Sequence, residues 1–479
     1  MSNNEDQNVI HNLNNNKELK NNNKQINNNE DNKSEIIAKS KKPVLKTKQK
    51  PMFKTKYENQ LNKIKNKNNI NNDKNINKAG YAMNYKKRKK FNNIDNESTS
   101  SETKSKISYK NYPKSAKNRQ TENAQTKFNK KNNNKKNIDI TQISFNNDDI
   151  SDILNNKIGF VNLGNSCFMN TCLQNLIHSE YFIKNLFSKK NLVSKNTPIT
   201  YHFIKLLSEL IQNKNVKSIS PKEFKEIFAN KHPIFKGPRQ QDTQEFCRFL
   251  LEDINQELNE IKEKPYYIEL STINKTKVEC NKEYDENFRS RENSIIIECF
   301  YSQIINIFIC KCGYETYSFQ KILDFPLLLK KDCKKTELNN LLKIYFENKD
   351  VPFETECEKC QKKEVHKKII KFTQIPNILI LSLQRRNEKT GNKNNCILKF
   401  PEQLDISEYI DEECGDKKEC KYSLYGIGNH FGDFSSGHFS AYIKLNDNKW
   451  YEFNDSKVSQ YLKVIESSST AYLLFYKKI

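Results

Sequence analysis

The stretch GFVNLGNSCFMNTCLQNL, Gly159 to Leu176, sets the reading of the whole chain. Its first half is rich in Gly and Asn, which tolerate turn geometry. Its second half carries Phe168, Cys172 and Leu176 at the spacing of one helix face. Cys167 therefore falls at or near the first turn of a buried helix. There the unpaired N–H groups and the helix dipole favour an anion, which makes a thiolate available as a nucleophile. Cys172 has no such setting and reads as a small core residue. Asn162 lies on the loop that curls around the helix start, so its amide is a candidate donor, with the Cys167 N–H, for a tetrahedral oxyanion. The same residues also describe a plain turn and cap over a buried thiol, and a partner base is needed to decide.

Such a base stands far downstream, in YSLYGIGNHFGDFSSGHFSAYIKL (Tyr422–Leu445) and WYEFNDSKV (Trp450–Val458). These read as antiparallel strands YSLYGIG, HFSAYIKL and KWYEFND, joined first by a Gly/Ser-rich loop and then by the turn LNDNK. His438 follows Gly437 at a strand start, and Asn454 and Asp455 close the next strand, across the hairpin, where a side chain reaches the imidazole. A Cys–His pair needs that third group to fix the ring tautomer. His430 is the competing base; it precedes the loop and has no clear carboxamide partner, so geometry favours His438.

Gly159–Leu176 resembles the Cys box of the ubiquitin-specific protease family of deubiquitinating cysteine peptidases, GLxNLGNTCYMNSxLQ, and the segment around His438 resembles its His box. Further segments agree in order: RQQDTQEFCRFLLEDI from Arg239, IPNILILSLQR from Ile375 and FPEQLDISEY from Phe400. The resemblance spans about 158–479. It implies an α+β, papain-like peptidase with thumb, palm and fingers, the fingers lying within about 295–375. It further implies Cys167 as nucleophile, His438 as base, Asn454 as third triad member, Asp455 in a shared orienting or oxyanion role, and Asn162 in the oxyanion hole. Asp242 matches a residue that engages the extended C-terminal tail of ubiquitin, whose arginines suit a carboxylate. Phe439 and Tyr451 are expected as aromatic walls of a narrow channel for a Gly-Gly tail. Ser166, Phe168 and Phe439 replace Thr, Tyr and Tyr of the family pattern, and none of these changes removes a reacting group. The implied activity is thiol-dependent hydrolysis of the bond after the terminal Gly of ubiquitin, with ubiquitin and its conjugates as partners. Two rivals stay open: a protease for a ubiquitin-like modifier, and a basic nucleic-acid-binding or scaffold protein that uses the fold for docking.

FICKCGYETYSF places Cys310 and Cys312 beside Gly313, and ETECEKCQKKE carries Cys357 and Cys360. Two thiol pairs in knuckle turns suit a tetrahedral, structural zinc site with no open position for water. Relatives use two C-x-x-C pairs; the first pair here is C-x-C, one residue short. Four unrelated thiols, or a hand that folds without metal, is the alternative. Zinc is the expectation, because the second pair has full knuckle spacing in a charged stretch where free thiols have no packing role.

The rest of the chain differs in kind. Over 479 residues hydrophobics make up 35%, the net charge is +24 and mean hydropathy is -0.90. Residues 1–150 hold 33 Lys and Arg against 15 Asp and Glu, 37 Asn and no Cys. This stretch reads as a disordered basic tail, able to contact polyanions weakly and without sequence preference. Its KKRKK, Lys86–Lys90, is a nuclear-import or nucleic-acid patch, or incidental basicity. All 13 Cys stand at or after Cys167. No secretory signal and no apolar run of the ~18–20 residues a membrane span requires are visible, so a soluble protein of the cytoplasm or nucleus with free or metal-bound thiols is the expectation.

Overall fold

The computed structural model describes residues 146–479 apart from 348, 387–390, 434–435 and 464. The tail and its KKRKK patch lie outside the described residues up to 145. Helix α1, Asn147–Leu154, begins inside the segment expected to lack structure up to 150 and corrects that boundary. Two things make it a helix. Asn146 Oδ1 accepts from the Asp149 N–H at 2.8 Å while the Asp149 carboxylate accepts from the Asn146 N–H at 2.9 Å, a reciprocal cap. Ile150, Ile153 and Leu154 then fall on one buried face.

Strand β1 (Gly159–Phe160) follows, then α2 (Cys167–Ile177), α3 (Glu180–Ser188), α4 (Pro198–Gln212), β2 (Ser218–Ile219), α5 (Lys222–Lys231), α6 (Thr243–Leu258), α7 (Lys277–Arg289) and α8 (Ile295–Phe300). The helix expected at Cys167 is α2, and the segment from Arg239 runs into α6. SIIIECF (Ser294–Phe300), a short β-branched apolar run of the composition expected for a strand, is instead α8. Ser294 caps it by accepting from the N–H groups of Ile296 and Ile297, and Ile295, Ile296, Ile297, Cys299 and Phe300 are all buried. The nearly continuous buried run, broken only at Glu298, lacks the alternation that would mark a strand, and the cap decides.

Strands dominate the remainder: β3 (Ser302–Ile309), β4 (Glu315–Ile322), β5 (Phe325–Leu328) and β6 (Lys335–Glu337), with α9 (Leu338–Phe346) before β7 (Lys349–Glu356), β8 (Lys363–Gln374) and β9 (Ile378–Gln384). Then come β10 (Ile397–Lys399), β11 (Gln403–Asp405), β12 (Lys421–Phe431), β13 (His438–Lys444), β14 (Trp450–Asn454), β15 (Lys457–Tyr461), β16 (Ser467–Ser468) and β17 (Ala471–Lys478). Among the described residues β4-β3-β8-β7 form an antiparallel sheet with the cysteine pairs at one end, inside the range expected for the fingers. A larger sheet runs β15-β14-β13-β12-β17-β9-β5, with β11 added to β12. Helices first and strands after, in separate layers, is the expected α+β arrangement.

Helix α2 joins the layers, and every residue from Cys167 to Ile177 is buried. It lies close on the large sheet because Gly426 of β12 has no side chain: a Cβ there would stand 2.3 Å from Asn175 Oδ1. Phe168 anchors its first turn, stacked on Phe235 at 5.8 Å and edge-on to Phe246 at 5.5 Å. Truncating a buried Phe of this kind costs about 3–5 kcal/mol, enough to disturb the end of the helix that carries Cys167.

Candidate active site

The turn before α2 is built by its own side chains. Gly164 (φ +89°) and Asn165 (φ +52°) take left-handed backbone. Asn162 Oδ1 accepts from the N–H groups of Gly164 at 3.0 Å and Ser166 at 3.1 Å. Ser166 Oγ accepts from the Leu163 N–H at 2.8 Å. The chain is thereby folded back so that Cys167 is the first helical residue, 4% exposed, with its N–H among those that have no acceptor within the helix.

His438 opens β13 and Asn454 closes β14, and the hairpin brings them together: His438 Nε2 lies 2.8 Å from Asn454 Oδ1. An amide oxygen only accepts, so Nε2 carries the proton and Nδ1 is left for sulfur. The hydrogen bond to Cys167 is the main reason the imidazolium is favoured, raising the His438 pKa to about 9; burial opposes it, and Asn454 and the Asp455 charge add to it. His430, the rival base, is 1% exposed, and burial, reinforced by Lys393 and Arg385, lowers it to about 4. It is a neutral core histidine, whereas His438 is poised to hold a proton beside the Cys167 sulfur.

Asp455 has φ +50° and turns its carboxylate away from the imidazole. Oδ2 accepts from Asn162 Nδ2 at 2.8 Å and Oδ1 from Asn170 Nδ2 at 2.7 Å. The backbone O of Asp455 accepts from the Phe160 N–H at 2.9 Å. Asp455 therefore fixes the Asn162 amide and acts on His438 through its charge alone. One Asn162 N–H is used by this bond and a second is left to donate. Asn170, on α2 three residues past Cys167, was missed in the sequence. The signal was its position one helical turn from the nucleophile, on the Cys167 side.

Two expected wall residues are corrected. Strands alternate faces, so Phe439, next to His438, points the other way. It is 6% exposed and packs on His430 at 4.5 Å and Tyr472 at 5.7 Å. Tyr451, three positions before Asn454, is on the opposite face for the same reason. It packs with Ala441, Ile443 and Phe453, and its hydroxyl accepts from Lys157 at 2.8 Å and donates to Asp447 at 2.7 Å. Both rings support the sheet instead of lining a channel. Asp242, expected at a bound tail, caps α6: Oδ1 accepts from the N–H groups of Gln244 at 2.8 Å and Glu245 at 3.3 Å, and Oδ2 from the Tyr472 hydroxyl at 2.5 Å.

At the end of the four-stranded sheet the Sγ atoms of Cys310, Cys312, Cys357 and Cys360 all lie within 4.8 Å of one another. The pairs Cys310–Cys360 and Cys312–Cys357 are each 3.7 Å apart, which matches the edge of a tetrahedron with Zn–S bonds of ~2.3 Å. The short C-x-C loop closes through Gly313, whose N–H donates to the Cys310 O at 2.9 Å. Burial pushes the Cys357 thiol up, but donation from the N–H groups of Cys360 and Lys359 and from neighbouring thiols brings it net down to about 7. The donor set is compatible with zinc.

Residues 158–476 match the family model described as ubiquitin carboxyl-terminal hydrolase. The chain is 31% identical over 332 residues to ubiquitin carboxyl-terminal hydrolase Usp2 of Drosophila melanogaster, covering 67% of this chain and 34% of that one. With ubiquitin carboxyl-terminal hydrolase 2 of Rattus norvegicus it is 30% identical, covering 67% and 53%. The Gallus gallus protein of that name is 31% identical and covered over 95% of its length, against 68% of this chain. The chain thus spans about a third to a half of the length of the fly and rat relatives. In fold it is similar to the SAGA DUB module bound to monoubiquitin, with a TM-score of 0.56, 22% identity and 75% coverage of each chain. The chain belongs to the ubiquitin carboxyl-terminal hydrolase family.

Proposed function

We propose that this protein is a deubiquitinase that hydrolyses the peptide or isopeptide bond after the terminal Gly of ubiquitin. The observation that carries the reading is the line from the Cys167 thiol through His438 to Asn454 Oδ1 at 2.8 Å, with the Asn162 amide held beside it by Asp455. His438 Nδ1 takes the thiol proton, and the thiolate attacks the Gly carbonyl carbon. The Asn162 Nδ2 and the Cys167 N–H donate to the oxyanion, a pair of which each donor is worth ~2.7–4 kcal/mol in comparable sites. On collapse the C–N bond breaks, His438 protonates the leaving amine and a thioester remains. Water, deprotonated by His438, then releases the carboxylate and the thiol. Ubiquitin as substrate is supported by the family and by relatives named for that hydrolysis.

Zinc at Cys310, Cys312, Cys357 and Cys360 is proposed as a structural ion, held by four thiolates with no coordination position for water. The test of the reaction is a fluorogenic substrate on the ubiquitin tail, run beside the same tail of ubiquitin-like modifiers. The wild type is expected to cleave the ubiquitin substrate and Cys167→Ala to be inert. Undiminished cleavage by Cys167→Ala removes the nucleophile, and preference for another modifier replaces the substrate.

A further inference from the structure

The base His438 sits at the end of a loop, and the nucleophile sits on a buried helix more than 270 residues earlier in the chain. What holds one against the other is a third element. At the loop's entry Lys393 Nζ donates to the backbone O of His430 at 2.5 Å and of Gly432 at 3.2 Å. At its exit the Gln240 side chain pairs with both backbone groups of Gly437. Oε1 accepts from the Gly437 N–H at 3.0 Å, and Nε2 donates to the Gly437 O at 2.7 Å. One amide thus does for Gly437, the residue before His438, what a neighbouring strand does in a ladder. The clamp needs glycine at 437: a Cβ there would stand 2.2 Å from His430 Nε2 and 2.6 Å from the Asp433 O.

Gln240 is in turn fixed to the nucleophile's helix. Two residues later Asp242 caps α6, and the hydroxyl of Thr243, the first residue of α6, donates to the Phe168 backbone O at 2.9 Å. Phe168 follows Cys167. The start of α6 therefore bonds the first turn of α2 on one side and, through Gln240, the start of β13 on the other. Gln241, adjacent in sequence, is aimed elsewhere, donating to the Ile234 O at 2.8 Å.

We propose that Gln240 is a positioning residue that sets the His438 imidazole against the Cys167 thiol by clamping Gly437 to the start of α6. The inference rests on the assignment of Cys167 and His438 as nucleophile and base, and it requires nothing of the substrate. With the clamp removed, Gly437 loses a donor and an acceptor together and β13 is free to start in a slightly different place. A displacement of about 1 Å at a reacting pair costs on the order of 10²-fold in rate.

The experiment uses the full chain as wild type, Gln240→Ala and Gln240→Glu, with iodoacetamide alkylation of Cys167 read by mass spectrometry from pH 5 to 9.5, and the His438 ring followed by NMR. In Gln240→Ala the His438 midpoint is expected to fall from about 9 towards its ordinary value of ~6.5. Alkylation at neutral pH falls as the sulfur loses its imidazolium partner. Turnover of the ubiquitin-tail substrate falls on the order of 10²-fold in kcat with KM little changed. Gln240→Glu supplies a signature that a merely structural role would not give. A protonated carboxyl offers one donor and one acceptor, as the amide does, so this variant approaches wild type at acid pH and loses ground as the carboxyl ionises. That comparison is made within one protein and stands even where Gln240→Ala folds poorly. Wild-type alkylation and NMR profiles in Gln240→Ala, or a constant ratio of Gln240→Glu to wild type across the pH range, overturn the proposal. Failure of the wild type to cut ubiquitin, with the alkylation effects intact, overturns the substrate and leaves the clamp standing.

Discussion

Cys167 and Cys310 are both buried thiols, 4% and 3% exposed, and they are put to opposite uses by what stands next to them. Cys167 faces a single imidazole whose far nitrogen is already committed to Asn454. Its sulfur has a partner able to take a proton. Cys310 faces three thiols at the corners of a tetrahedron and the Glu364 carboxylate, to which its thiol donates at 2.8 Å. Burial and that carboxylate hold its proton on. The chemistry of a thiol is thus set by the number and kind of its neighbours, since burial is nearly equal at the two sites.

The comparison breaks most decisively at the imidazole. His438→Ala is expected to lower turnover of a ubiquitin-tail substrate by about 10³-fold or more, leaving the metal content unchanged. A loss of less than tenfold would mean that Cys167 has another base. At the other centre Cys357→Ser, or a chelator, is expected to release about one zinc per chain by elemental analysis. The cost is about 3 kcal/mol or a Tm drop of roughly 6–12 °C, while Cys167 alkylation at neutral pH stays near wild type. A metal-free wild type that melts at the same temperature with and without added zinc would dismiss the second centre.

The smallest effect sharpens the contrast between the two histidines. The folded pKa of His438, about 9, lies above its ordinary ~6.5, so its contribution to stability is complete below pH ~6.5 and is lost as pH rises through about 9. That of His430, about 4, lies below ~6.5, so its contribution is present above that value and fades as pH falls through about 4. The Tm gap between wild type and His438→Gln should therefore close towards alkaline pH, and the gap for His430→Gln towards acid pH. Gaps that do not change with pH would show that neither ring gains or loses a proton on folding.

Much of this was legible in the sequence because the signals are local. The run from Asn162 to Leu176 carries its own turn and helix face, and the Gly-His and Asn-Asp pairs sit at strand ends. What was not legible depends on remote partners. Helical spacing put Asn170 on the Cys167 side but could not name its acceptor, Asp455, 285 residues away, and no spacing at all pointed to Gln240, whose partner Gly437 is 197 residues away. SIIIECF reads as a strand because enclosure erases the pattern that distinguishes the two structures. Tyr451 was a different kind of miss. Its offset of three from Asn454 already put it on the far face of any strand, and the period-two rule was sufficient to exclude it.

Strand β17, Ala471–Lys478, is inserted between β12 and β9 in the middle of the large sheet, although it comes last in the chain. Strands β12 and β9 are thus bridged by a segment that follows both of them in sequence. The sulfur of Cys167 is therefore translated long before the strand that closes the sheet carrying His438.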